Sequence, residues 1–464
     1  MNNKNKFSRR GFLSLSTLAG IAGALGIPAI ASCSGASKNG LAPLRRPSDY
    51  FTPNLDDKAV DGRPLKAGLI GCGGRGRGAL NDFLSCGNGL SITALGDVFK
   101  DAIDTTNEIL EKQHGFRVPA EMCFTGFDAY QKVIDSGVDM VFLCTPPAFR
   151  PEHFKYATDK GVHSFLEKPM AVDPEGVRSI LVTGKQAISK GLCAIPGTMR
   201  RFDRSYVTSH RMIQDGWIGD IVGGSIYWNT KQLWYRTRQP GWSDMEAMLR
   251  DWVNWKFLSG DHIVEQHIHN IDLFTWMIGD KAPISALGYG SRQRRVTGDQ
   301  YDNFSIDFVY ENDVHVHSMS RQIDGTSLWS GDVIQGTKGV WIAKGTDHVI
   351  KDLKGKEIWK YDSAAEKAAH KTTSPYVIEH INLVNHIRKN EPIAYIEGAC
   401  AATLAAIMGR ESAYTGKTVK YEEMANASLN YVPKTFVMGP VDTSGPLFKV
   451  PVPGIVAVNR ERIG

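Results

Sequence analysis

From Leu65 to Gly76 the chain runs Leu65-Lys66-Ala67-Gly68-Leu69-Ile70-Gly71-Cys72-Gly73-Gly74-Arg75-Gly76, a strand-like apolar stretch opening into spaced glycines and then a helical pattern. A G-x-G-x-x-G loop in that setting has a physical reading. Gly71 allows the tight turn, Gly73 lets the backbone approach a pyrophosphate, and Gly76 lets helix and strand pack closely. The helix N-terminus then faces the negative charge. Asp97 ends the next strand-like run about twenty residues on, where an acid accepts hydrogen bonds from adenosine ribose hydroxyls. A carboxylate there also repels a ribose 2′-phosphate, so NAD is favoured over NADP, although Lys100 stands close by. The cofactor-binding candidates of this loop are Gly71, Gly73, Gly74, Arg75, Gly76 and Asp97.

Beyond the loop, apolar runs alternate with helical patterns: Leu65 to Ile70, Ser91 to Leu95, Asp139 to Cys144 and Val162 to Leu166. That is the βαβ rhythm of a parallel sheet. After Gly191 alternating stretches such as Asp302 to Tyr310 and Val314 to Met319 predict a largely antiparallel sheet. The fold class expected is α/β, with an N-terminal Rossmann domain (64–190) and a C-terminal α+β domain on a largely antiparallel open sheet (191–426). A linker or arm (34–63) precedes them and a proline-punctuated tail (427–464) follows. Helices predicted at Val377 to Lys389 and Gly398 to Thr415 could pack on either domain.

Residues 1–33 read as a signal. Ser8-Arg9-Arg10-Gly11-Phe12-Leu13 joins a twin arginine to an apolar stretch, and Ile30-Ala31-Ser32-Cys33 resembles a lipobox. Export by the twin-arginine route is expected, to the periplasm or to the cell envelope through a lipid anchor at Cys33. Of the seven cysteines, the six beyond Cys33 contain no CxxC pair and read as apolar fillers. A net charge of +5 over 464 residues is too small to imply a nucleic-acid partner. No run of ~18 apolar residues follows the first forty positions, so a membrane is met only through the lipid.

Four further segments, Cys144-Thr145-Pro146-Pro147, Glu167-Lys168-Pro169, His269-Asn270-Ile271-Asp272 and Trp276, join the glycine loop in an order and spacing that resembles the Gfo/Idh/MocA oxidoreductases, over roughly residues 64 to 420. The resemblance implies that Lys168 stands beside the nicotinamide, that Thr145 and Pro146 pass the cofactor ribose, that Glu167 belongs to the same cofactor segment, and that His269 lies across the substrate. Two departures stand out. Glu265 replaces the aspartate usual four residues before the histidine, and Ala148 and Arg150 stand where many members carry histidines.

Glu265, His269, Asp272 and Trp276 are spaced i, i+4, i+7, i+11, which predicts one stripe on one helix. Oxidising a secondary alcohol needs a base for the hydroxyl proton while hydride leaves the same carbon, and an imidazole titrates in the right range. His269 is the candidate base. Lys168 would steady the developing alkoxide, and Glu265 would bind an adjacent hydroxyl or orient the histidine. Glu265, His267 and His269 could converge on a metal from a strand, but helical spacing continues through Met277, so no metal is expected. Trp228, Trp234, Trp242, Trp252 and Trp255 crowd the preceding segment as sugar platforms or as core anchors. Arg201, Tyr235, Arg236 and Asp272 are the further substrate candidates.

The expected function is an exported oxidoreductase moving hydride from a secondary hydroxyl of a sugar, glycoside or cyclitol to a tightly held NAD, in a homo-oligomer. The alternatives are a redox-neutral NAD-dependent glycosidase or lyase acting through a transient keto-sugar, and a non-catalytic sugar-binding lipoprotein.

Overall fold

Strand β1 (Leu65–Ile70) is buried at every position except Lys66, as a strand covered on both faces must be. The computed structural model describes residues 52–454; the twin-arginine segment and the lipobox at Cys33 lie outside the described residues. Around β1 stand β2 (Leu90–Asp97), β3 (Cys123–Thr125), β4 (Met140–Leu143), β5 (His163–Leu166), β6 (Cys193–Pro196) and, late in the chain, β15 (Ile393–Ala394). They form one parallel sheet in the order β15-β6-β5-β4-β1-β2-β3. The run from β3 to β6 is the doubly wound Rossmann order, in which winding reverses between β1 and β4 and leaves a crevice beyond their carboxyl ends. β3 and β15 have only three and two residues, too few to show a period in sequence. β6 and β15 carry this sheet past residue 190.

The second sheet comprises β7 (Ile221–Thr230), β8 (Ser285–Ser291), β9 (Asn303–Tyr310), β10 (Val314–Gln322), β11 (Trp329–Gly336), β12 (Gly339–Lys344), β13 (Asp347–Asp352), β14 (Glu357–Lys360) and β16 (Val419–Lys420). Their order is β14-β13-β12-β11-β7-β10-β9-β8-β16. All neighbours are antiparallel except β7 and β10, which run parallel. β9 shows the two-residue period, turning Phe304, Ile306, Phe308 and Tyr310 inward. The two late helices divide between the sheets. Helix Pro375–Lys389 gives Ile378, Ile381 and Val384 to the core holding Leu65, Phe83 and Phe142. Helix Glu397–Thr415 packs on β8 and on helix Ile268–Met277.

The arm and tail are both tied down. Asn382 and Asn385 accept the main-chain N–H groups of Asn54 and Val60 at 3.0 and 2.8 Å. Tyr431, Phe436 and Phe448 of the tail pack on an apolar cluster containing Phe149, Met245, Met248 and Phe257. The six described cysteines are free thiols.

Candidate active site

The glycine loop crosses the crevice between β1 and β4. Gly71 has φ +99°, and a β-carbon there would stand 2.6 Å from the main chain of Cys144 and Thr145. At Gly76 it would stand 2.0 Å from the Gly71 carbonyl oxygen, so helix Gly74–Ser85 docks only because the side chain is absent. Gly73 and Gly74 are different: a β-carbon at either meets no protein atom within 4 Å. Their backbone borders open space, at a helix N-terminus whose first turn holds no acid. These features fit a pyrophosphate cradle.

Asp97 closes the far side. One carboxylate oxygen accepts the Cys72 N–H at 2.7 Å and the other the Phe99 N–H at 2.9 Å. Burial nevertheless pushes its carboxyl above the usual carboxylate range. Each oxygen keeps a lone pair for a ribose hydroxyl. The cleft beside it holds about 360 Å³ and is lined by Gly71, Gly73, Asp97, Thr145 and Pro146 on one side and by Trp234, Arg236 and Trp252 on the other.

Arg75 and Glu167 do not line that cleft. They pair with each other, and Arg75 also reaches Glu379 at 3.1 Å and Asp82 at 3.3 Å. Together they brace the glycine loop against the segment bearing Lys168.

Lys168, just past β5, donates to Glu265 Oε1 at 2.7 Å and to the Glu265 main-chain oxygen. The single stripe expected for Glu265 and His269 is broken. Glu265 ends one short helix, His262–Glu265, and His269 opens another, Ile268–Met277. At the break the Glu265 carbonyl accepts from the Lys168 ammonium instead of continuing the helix. The His269 ring lies 5.7 Å from the Trp228 ring, and its carbonyl accepts from Arg200 at 3.3 Å. Burial, with the charges of Lys168 and Arg200, holds its imidazole well below the ordinary histidine range. It is neutral at neutral pH.

Two substrate candidates are corrected. Arg201 and Asp272 are only 1% and 3% exposed and form a two-pronged pair, with Nε–Oδ2 at 2.9 Å and Nη2–Oδ1 at 2.7 Å. Arg201 also binds Asp280 at 2.8 Å and the Tyr395 hydroxyl at 2.7 Å. They hold the interior together and are closed to a sugar. Trp276 likewise stacks on His210 in the core, 4.2 Å between ring centres. Tyr235 is half exposed and off the cleft, whereas Arg236 lines it. His267 turns away from His269 to bond Ser318 at 2.7 Å, and among the described residues no three ligand-type side chains gather.

Sequence reasoning missed two arginines. Arg150 spans the Thr145 carbonyl at 2.8 Å and the Pro169 carbonyl at 2.5 Å, tying the two loops that bear Thr145 and Lys168. It stood out in sequence only as the residue replacing a histidine. Arg200 sits beside the candidate that was chosen, and nothing in the local pattern separates the two.

Residues 65–190 match the family model described as "Oxidoreductase family, NAD-binding Rossmann fold" (GFO_IDH_MocA). Residues 65–190 are thus similar to the NAD-binding Rossmann domain of that oxidoreductase family. Among curated relatives, the chain is 28% identical over 195 residues to a glycosyl hydrolase family 109 protein of Porphyromonas gingivalis, covering 38% of this chain and 39% of that one. It is 26% identical over 216 residues to the inositol 2-dehydrogenase of Paracoccus denitrificans, covering 47% and 55%. The chain thus spans about half or less of the length of these relatives. The fold is shared with scyllo-inositol dehydrogenase of Lactobacillus casei, solved with NAD(H) and scyllo-inositol, at 19% identity and TM-score 0.57 over 77% of this chain and 99% of that one.

Proposed function

We propose that the protein is an NAD-dependent oxidoreductase that takes hydride from a secondary ring hydroxyl of a sugar, glycoside or cyclitol. One observation carries the reading: Lys168, just past β5, is paired to Glu265 in the segment that bears His269, while the glycine loop beyond β1 of the same sheet offers the open backbone of Gly73. The nicotinamide, when bound, supplies the hydride acceptor. His269 takes the hydroxyl proton, Lys168 donates to the same oxygen as charge develops, and Glu265 holds Lys168 until a substrate hydroxyl competes for it. Gly73, Gly74, Asp97 and Thr145 are the residues that would hold the dinucleotide, and the Asp97 carboxylate favours NAD over NADP.

A second reading is favoured by the likeness to the glycosyl hydrolase family 109 protein. The same hydride could return to the substrate after the aglycone has left, because a keto group acidifies the adjacent C–H. Export through the twin arginine suits both readings, since a protein outside the cytoplasm must regenerate its dinucleotide in place. Assembly as a homo-oligomer is part of the proposal.

Mixing the NAD-loaded protein with one sugar or glycoside at a time tests the reading. Persistent reduced-nicotinamide absorbance, cleared only by an added carbonyl acceptor, is the expected result for the oxidoreductase. Many turnovers of a glycoside without lasting absorbance mark the redox-neutral cycle. No reduction and no turnover with any compound overturns both and leaves a binding protein.

A further inference from the structure

The outer wall of the dinucleotide cleft comes from the second domain. Trp234, Arg236, Leu249, Arg250 and Trp252 face the cleft opposite Asp97, Phe99 and Asp101. The back of this wall is fixed, for Met245, Met248 and Leu249 are buried with Phe149 and Phe257. Its front is latched to the Rossmann domain by Arg250. The Arg250 guanidinium lies 3.9 Å from the Phe99 ring centre, reaches both Asp101 oxygens at 3.0 and 3.2 Å, and is held from behind by Glu246 at 2.9 Å. Phe99 and Asp101 follow directly on Asp97, the ribose-binding acid, so the wall faces the adenosine half and not the nicotinamide.

The exposed surface of the wall suits a purine. The Trp234 and Trp252 rings meet edge to face at 6.3 Å, and the Arg236 guanidinium lies 5.7 Å from the Trp234 ring centre. The Arg236 main chain is fixed by Asp251 at 2.8 Å. Trp234 remains 47% exposed, so its ring surface is open to a ligand in the cleft.

We propose that residues 234–252 form an adenosine clamp, with Trp234, Arg236 and Trp252 packing on the adenine and Arg250 latching them to Phe99 and Asp101, so that the dinucleotide leaves slowly and stays bound through turnover. The inference rests on reading the cleft as a dinucleotide site. It adds a second-domain contribution to a site whose motifs all lie in the first domain.

Energy transfer from tryptophan to bound NADH, chased with excess NAD, gives the release rate of the full chain. Arg250→Ala should speed release about tenfold, the combined scale of the ion pair and guanidinium–ring contact it removes, and Asp101→Ala and Trp234→Leu should each speed it severalfold. The Arg250→Ala/Asp101→Ala double variant should release little faster than its parents, because both remove one latch. Titration calorimetry should show Arg250→Ala weakening ADP-ribose and leaving nicotinamide mononucleotide unchanged. Arg250→Lys, which keeps the charge and loses the planar fork, should fall between Arg250→Ala and the parent. A parent that binds NADH, with release unchanged in all these variants, overturns the clamp alone. A parent that binds neither NADH nor ADP-ribose overturns the dinucleotide site and the clamp with it.

Discussion

The proposed role of His269 as base needs a neutral ring, and its surroundings favour one. Burial comes first, followed by the positive charges of Lys168, Arg200 and Arg75 and by His267. A base whose pKa is lowered stays competent down to acid pH, so turnover should be flat through neutral pH and fall only below the ordinary histidine range. Removing a cation raises that pKa. Lys168→Met should therefore cut turnover by at least ~100-fold and also move the remaining acid limb to higher pH. His269→Ala should lose a similar factor, and both variants should keep the parent's NAD content. Near-parental turnover in both, checked by pH–rate profiles with a responsive substrate, would return these residues to a structural role. Lys168 and His269 stand out in sequence because their neighbours are distinctive, and the structure sets Lys168 against Glu265, four residues before His269. Arg201 and Asp272 were misread for a physical reason: a buried ion pair and a substrate-binding pair use the same residue types, and only the fold shows that these two face each other.

Among elements, the glycine loop was the most legible. Strand, loop and helix appear where the pattern places them, and Gly71 and Gly76 are each demanded by a close approach seen in the structure. The loop also yields a contrast between neighbours. Gly73→Ala introduces a methyl that meets no protein atom, at φ −74° and ψ −175°, which any residue adopts. It should leave thermal stability nearly unchanged while weakening NAD. Gly76→Ala drives a methyl into the Gly71 carbonyl and should destabilise by about 1–3 kcal/mol. Calorimetric melting beside NAD titration checks the pair, and equal loss of stability in both variants would contradict the cradle. The helix through Glu265 was less legible. Periodicity saw one helix where there are two, since a break set by a tertiary bond to Lys168 leaves no mark on the apolar pattern.

For the whole molecule, the two-sheet architecture was readable from the change of period near residue 191, but the sharing of chain between sheets was not. β15 and helix Pro375–Lys389 return to the Rossmann sheet nearly two hundred residues after β6, and no local pattern announces a return across that distance. The same separation lets residues 234–252 of one domain wall the cleft of the other. In the proposed reaction hydride passes from a ring carbon of a polyhydroxylated substrate to a dinucleotide held between these domains. Rapid acid quench of the NAD-loaded protein with ring-deuterated cyclitols, sugars and glycosides, followed by mass spectrometry of the released dinucleotide, tests it directly. Reduced dinucleotide carrying the substrate's deuterium is expected with at least one of these compounds, and that signal should be lost in His269→Ala. Folded, NAD-bound protein whose dinucleotide never acquires deuterium from any of them would contradict the proposed reaction.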